Sequence, residues 1–199
     1  MNIIVMGMPG AGKGTQADRI ATSYQIPHIS TGGILRSFAQ NKSPIGLEAK
    51  TFMEKGELVP DNLMKKLLWD RLGEEDTKKG FILDGYPRTV QQAEALEAYL
   101  HSRGVQLDAV LYLAVGKGVL RRRLAKRLLS PDTNKEWGIF SPRMDDQSEI
   151  VERRIQVSEA EMEELWHFYR KRGIVSIVDG DQEPSQVFRD IQEVLRLYS

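Results

Sequence analysis

The sequence predicts an α/β fold: a five-stranded parallel sheet with helices on both faces. Three observations carry that expectation. Short runs of branched and apolar residues recur at Asn2–Met6, Pro27–Ile29, Gly80–Leu83, Ala109–Val115 and Ile174–Val178, and such runs read as buried strands. Stretches of helical periodicity fill the gaps between them. That alternation is what builds parallel sheets, with right-handed crossovers. Finally, 199 residues with 41% hydrophobic side chains are enough for one domain with a core of its own.

Composition narrows the class. Lys and Arg number 28 and so do Asp and Glu, for zero net charge. Nucleic acid as the main partner is therefore not expected, because it asks for an excess of positive charge; a local basic cleft stays open. No stretch approaches the roughly 20 apolar residues of a membrane span, and the N-terminal apolar run is too short for a signal peptide. There is no cysteine, which fits a reducing cytoplasm and removes cysteine-based metal sites. His28, His101 and His167 are scattered, so no zinc site is expected either.

The first strand-like run leads straight into Gly7-Met8-Pro9-Gly10-Ala11-Gly12-Lys13-Gly14-Thr15. A helical pattern follows from Lys13, with Ala17, Ile20, Ala21 and Tyr24 on one side. Strand, glycine-rich loop and helix are the setting of a phosphate loop. Glycines let backbone N–H groups turn inward around an anion, and the helix N-terminus adds unpaired N–H groups and a positive dipole end. Lys13 brings a full charge for the outer phosphates. Most phosphate loops place Ser or Thr after the lysine; here Gly14 stands there and Thr15 follows.

Ser30-Thr31-Gly32-Gly33 ends the second strand and is expected to cap a helix beginning near Ile34. A helix near Gly46–Glu54 follows the turn Asn41–Pro44, and after a second break Asp61-Asn62 is expected to cap a helix with Leu63, Leu67, Leu68 and Leu72 on one face. Residues 30–59 thus read as a small helical lobe. The third strand ends in Asp84, and Gly85 and Pro87 then force a turn. Ligands of parallel α/β sheets sit beyond the strands' carboxyl ends, so Asp84 is aimed at the same edge as the phosphate loop and can hold Mg²⁺ directly or through water. Arg88 can fork onto phosphate oxygens. Gln91 and Gln92 open the next helix, and Gln can both donate to and accept from a base edge. In the basic helix Leu120–Leu128, Arg123 and Arg127 lie four apart on one side, while Arg121, Arg122 and Lys126 read as a solvated face. Leu129–Pro142 is loop-like. A long helix from Asp145 to Arg172, ended by Gly173, carries Ile150, Val151, Ile155, Leu165, Trp166 and Tyr169 as packing residues, and a last helix near Ser185–Leu197 closes the core.

Taken together, GMPGAGKGTQA at 7–17, STGGILR at 30–36, GELV at 56–59, FILDGYPRTVQQ at 81–92, Arg-x-x-x-Arg at 123–127, RMDD at 143–146 and Val178-Asp179-Gly180 resemble the nucleoside monophosphate kinases, adenylate kinases above all. The resemblance covers nearly the whole chain. It implies a phosphate-loop kinase core over 1–199, an inserted AMP-binding lobe at 30–59 and a short lid at 128–142. It implies the reaction Mg·ATP + AMP ⇌ 2 ADP, with ATP, AMP and ADP as partners, Mg²⁺ as cofactor, and a cytoplasmic monomer. By resemblance, Gly10, Ala11, Gly12, Lys13, Gly14, Thr15 and Arg127 contact ATP. Thr31, Gly32, Arg36, Glu57, Leu58, Val59, Gly85, Tyr86, Pro87, Arg88, Gln92, Arg143 and Arg154 contact AMP. Lys13, Asp84, Arg88, Arg123, Arg143 and Arg154 serve catalysis, with Mg²⁺ held through water near Asp84.

Three departures stand out. Gly33 replaces the usual acid after the Ser-Thr-Gly motif. The lid is short, with fifteen residues between Arg127 and Arg143, and has no Cys or His for zinc. Gln182 stands where a basic residue is frequent. Gly33 leaves two readings open: a lost acid that weakens Mg²⁺ holding, or a backbone angle closed to Asp. The alternatives to an adenylate kinase are a kinase for UMP, CMP or GMP, against which Thr31 and Gln92 speak, and a weakly active nucleotide-binding regulatory protein.

Overall fold

Strands β1 (Asn2–Gly7), β2 (His28–Ser30), β3 (Phe81–Asp84), β4 (Ala109–Ala114) and β5 (Val175–Asp179) form one sheet in the order β2-β3-β1-β4-β5. Every neighbouring pair is parallel. The computed structural model describes residues 1–41, 43–55, 57–129 and 148–198. Residues 130–147, which hold most of the expected lid together with Arg143, lie outside the described residues, as do Lys42 and Gly56.

The central strand shows why the sheet is doubly covered. Ile3, Ile4, Val5 and Met6 are all buried, but alternate residues point to opposite faces. Ile3 and Val5 join one core with Ile82, Leu111 and Leu113, covered by α1 (Lys13–Tyr24), α6 (Lys117–Leu129) and α8 (Pro184–Leu195). Ile4 and Met6 join a second core with Phe81, Leu83 and Val110, covered by α4 (Asp61–Leu72) and α5 (Val90–Ser102). Helix α7 (Ser148–Arg170) serves both: Val151 and Ile155 pack into the first core, Leu165 and Tyr169 into the second. The continuous apolar run predicted for β5 lies at the sheet edge, where Ile177 is 60% exposed.

Helices α2 (Thr31–Gln40) and α3 (Pro44–Glu54) form the arm between β2 and α4. Several expected boundaries move, α3 for example starting at Pro44 and α6 at Lys117. α2 starts at Thr31 rather than near Ile34, because Ser30 is the cap and its Oγ accepts from Gly33 N at 3.3 Å. α4 is not capped by Asp61 or Asn62: Pro60 holds the cap position without a side-chain bond, and Asp61 is the first helical residue. The last helix ends at Leu195, and a 3₁₀ turn over Arg196–Tyr198 leaves Leu197 exposed.

This strand order opens a crevice. The chain leaves β1 towards β2 but leaves the adjacent β3 towards β4 on the other side. Diverging connections part at the carboxyl ends of β1 and β3, the place where ligands of such sheets bind.

Candidate active site

One wall of the crevice is backbone. After β1 the chain turns through Gly10 and Gly12, whose φ values of 86° and 92° are closed to most side chains. Gly12 holds the cap position of α1 and offers no side-chain bond to its first turn, which leaves N–H groups facing outward for an anion. The Lys13 ammonium donates to the loop's own carbonyls, Gly7 O at 2.7 Å and Met8 O at 3.1 Å.

Asp84, the last residue of β3, pairs in register with Val5 of β1 and Ser30 of β2. A Cβ at Gly14 would lie 3.5 Å from Asp84 Oδ2, so the carboxylate stands beside the first turn of α1. His28 sits behind it, Nδ1 at 2.6 Å from Asp18 Oδ1 and Nε2 at 3.6 Å from Asp84 Oδ2. Burial alone would lower this imidazole's pKa; the Asp84 and Asp18 carboxylates outweigh it and hold the ring above its usual value. Composition gave no hint of His28, because the signal is the parallel register of β2 with β3.

The opposite wall is made of side chains. Thr31 is buried and its hydroxyl donates to Asp84 O at 3.3 Å. The Arg36 guanidinium folds back over Gly32, where a Cβ would lie 3.0 Å from Nη1. Arg88 Nε donates to Gly85 O at 3.0 Å. Thr89 caps α5 by accepting from Gln92 N at 3.2 Å. The Gln92 carboxamide accepts from Arg88 N at 2.7 Å and donates to Asp61 Oδ1 at 2.6 Å. The Tyr86 hydroxyl donates to Gln92 O at 3.3 Å; burial chiefly, with Asp61 adding to it, raises its pKa well above the usual value. Tyr86 is braced edge-on by Trp69, which stacks on Tyr99 with centroids 4.3 Å apart. The Tyr86–Pro87 peptide is cis.

The family model for adenylate kinase matches residues 5–174, spanning both walls. The chain belongs to the adenylate kinase family. It is 45% identical to the adenylate kinase of Shouchella clausii, and 41% identical to those of Bacillus subtilis and Clostridium tetani. Each alignment covers 98% of this chain and 98% of the relative. The family is one of nucleoside monophosphate kinases turning ATP and AMP into two ADP.

The positions that resemble adenylate kinases come together in one cavity of about 510 Å³. It is lined by Gly10 to Thr15, Thr31, Gly32, Arg36, Glu57, Leu58, Val59, Asp84, Gly85, Tyr86, Arg88, Gln92, Arg123, Arg127 and Arg154. Pro87 is apart: it lines a smaller cavity of about 70 Å³ with Arg88, Arg154 and Glu161. Arg123 is held by donating to Gly180 O at 2.8 Å, and Glu57 by Arg153 Nη2 at 2.8 Å. Lys126, read from sequence as solvated, is exposed yet lines the cavity; the helical wheel cannot say which part of its rim faces a neighbour. Gln182 also lines it and bonds Asp179 O and Asp190. Met53 and Met64 belong to the wall as well and carried no motif. Among the described residues no group of three or more His, Asp or Glu is placed to hold a metal ion, and no helix is long and apolar enough to cross a membrane.

Proposed function

We propose that this chain transfers the γ-phosphoryl group of Mg·ATP reversibly to AMP, giving two ADP, in the crevice between β1 and β3. One observation carries the reading: a backbone anion cradle, a carboxylate, five arginines (Arg36, Arg88, Arg123, Arg127, Arg154) and a polarised carboxamide line a single cavity. Its volume of about 510 Å³ lies within the range of small-molecule sites.

In this reading the loop N–H groups and Lys13 hold the β- and γ-phosphates of ATP, with Arg127 beside them. Arg36 and Arg88 hold the AMP phosphate, and Thr31 and Gln92 face its base. An AMP phosphate oxygen attacks the γ-phosphorus, the bond to the β,γ-bridging oxygen breaks, and its electrons stay on ADP. No side chain acts as nucleophile. The chain supplies alignment and charge neutralisation: Lys13, Arg88, Arg123 and Arg154 surround the oxygens where charge builds. Arg143 belongs to this set by resemblance and lies outside the described residues. Residues 30–59, which carry α2 and α3, form the AMP-binding lobe.

A Mg²⁺ ion fits the donor set, since one carboxylate beside a phosphate cradle suits an ion that keeps most of its waters. Asp84 would hold it through water. When bound, it neutralises phosphate charge and orients the β- and γ-oxygens.

The test is ADP formation by purified protein with Mg·ATP and each of AMP, UMP, CMP and GMP. AMP should give by far the highest kcat/KM. Stronger turnover of UMP would sink the AMP assignment, and nucleotide binding without turnover would favour a regulatory module.

A further inference from the structure

We propose that Asp61 is the positioning residue that sets which purine this site accepts, by locking the Gln92 carboxamide into one of its two orientations. The proposal rests on the reading of this wall as the AMP side.

A carboxamide has nearly the same shape after a flip, but the flip exchanges donor and acceptor. At Gln92 both ends face a group that allows only one role. Asp61 Oδ1 can only accept, and takes Nε2–H at 2.6 Å. The backbone N–H of Arg88 can only donate, and takes Oε1 at 2.7 Å. Flipped, the amide would set N–H against N–H and oxygen against carboxylate. The rest of Gln92 is equally fixed, with its N–H on Thr89 Oγ1 and its carbonyl on the Tyr86 hydroxyl.

A carboxamide has two N–H groups and two acceptor lone pairs. These bonds use one of each. One N–H and one lone pair are left on a residue that is 2% exposed and lines the cavity. Adenine presents an acceptor at N1 and a donor at the 6-amino group, and complements that pair. Hypoxanthine and guanine present N1–H and O6, the mirrored pattern. An amide free to flip could serve both; a locked amide serves the 6-aminopurine.

A negative residue in a helix's first turn is favoured by the helix dipole, and Asp61 opens α4. That role does not call for a bond to a residue 31 positions away on another helix. Asp61 therefore acts through Gln92.

The experiment measures kcat/KM for AMP and for IMP, the KM for ATP, and melting temperatures. It compares wild type with Asp61→Leu, Asp61→Asn, Gln92→Ala and the double variant Asp61→Leu/Gln92→Ala. Wild type should prefer AMP to IMP by about a hundredfold or more, because a site built to hydrogen-bond one pattern rejects the other strongly. Asp61→Leu should cut that preference by about tenfold through the nucleotide KM, leaving the ATP KM alone. Asp61→Asn, which keeps an acceptor but adds a donor, should fall between and serves if the Leu variant does not fold. In the Gln92→Ala background, Asp61→Leu should leave the ratio unchanged. An unmoved AMP/IMP ratio in folded Asp61→Leu and Asp61→Asn overturns the proposal, as does an equal loss with and without Gln92. Wild-type protein that makes no ADP from AMP overturns the AMP reading, and the proposal with it.

Discussion

The two walls of the crevice are built from different material. The β1–α1 wall is main chain: two glycines with positive φ, the open first turn of α1, and one lysine. The β2–α2 and β3–α5 wall is side chain: Thr31, Arg88 and Gln92, each oriented by a hydrogen bond, and Arg36, folded back over Gly32. A triphosphate is the same in every nucleoside triphosphate, so a backbone cradle is enough for it. A base must be told from other bases, and only side chains with fixed donor and acceptor roles do that. Damage to the first wall should therefore appear in rate, and damage to the second in affinity and choice of acceptor.

The largest effect is expected at Lys13. On the proposed reading, Lys13→Ala removes a cation from the phosphoryl group, worth about 3 kcal/mol or more at the transition state. kcat should fall by about a hundredfold or more while the melting temperature holds, since Lys13 is only part-buried and bonds loop carbonyls rather than the core. Near-normal kcat in the folded variant would contradict a backbone wall that depends on this one charge.

Arg88→Ala should act on the other axis. The AMP KM should rise by about tenfold or more, far more than the ATP KM, as expected for losing a charge-assisted phosphate contact. Arg88→Lys should recover part only, because an ammonium lacks the planar fork. Equal weakening of both substrates would erase the distinction between the walls.

The same contrast decides what was legible in the sequence. The backbone wall announces itself, because glycine and lysine spacing after a strand is the structure. Three strands are legible for a similar reason: β1, β3 and β4 are interior to the sheet and read as unbroken apolar runs. The second wall was legible only as separate side chains. Asp61 read as a helix cap because an acid before a helical pattern normally is one. Its carboxylate instead crosses to Gln92 on α5, a contact between distant segments that no local pattern encodes. His28 reads from sequence only as a scattered histidine, since it meets Asp18 and Asp84 only once β2 lies beside β3. The start of α2 lies three residues before the expected one because the whole stretch Ser30–Gly33 reads as the cap, whereas Ser30 alone holds the cap position and Thr31, Gly32 and Gly33 are helical.

Gly46 gives a smaller effect that isolates the second wall. A Cβ there would lie 2.1 Å from the carbonyl carbon of Phe38, so the first turn of α3 rests on the end of α2. Gly46→Ala must part the two helices, a strain of about 1–3 kcal/mol. Melting should drop by about 2–10 °C, with a several-fold rise in AMP KM and little change in ATP KM. An unchanged melting curve would show that the arm absorbs the methyl group freely.

The smallest expected effect lies at Gly33, in the first turn of α2. The sequence left open whether this glycine serves a backbone angle closed to Asp. It does not: Gly33 is the third residue of α2 in ordinary helical backbone, and its φ is not positive. A Cβ there would meet Ser30 Cβ at 3.3 Å and Ser30 Oγ at 3.4 Å, a tight fit against the capping side chain alone. Two terms favour Asp. Asp ranks just above glycine in helix propensity, by ~0.3 kcal/mol, and a carboxylate in the first turn gains about 0.3–1 kcal/mol from the helix dipole. Against them stands a shift of a few tenths of an ångström at Ser30. Gly33→Asp should therefore melt at or slightly above the wild-type temperature. Its carboxylate would rise from the helix that follows Ser30, the register partner of Asp84, and add a second acceptor for water on a bound Mg²⁺. Half-maximal rate should be reached at about two- to fivefold lower Mg²⁺, because outer-shell groups tune a site that, on the proposed reading, Asp84 and the phosphates already hold. Lys13→Ala measured in the same titration should lose rate without moving the midpoint. If Gly33→Asp keeps both the midpoint and kcat while folding stably, this position does not tune the metal, and Asp84 with the phosphates suffices.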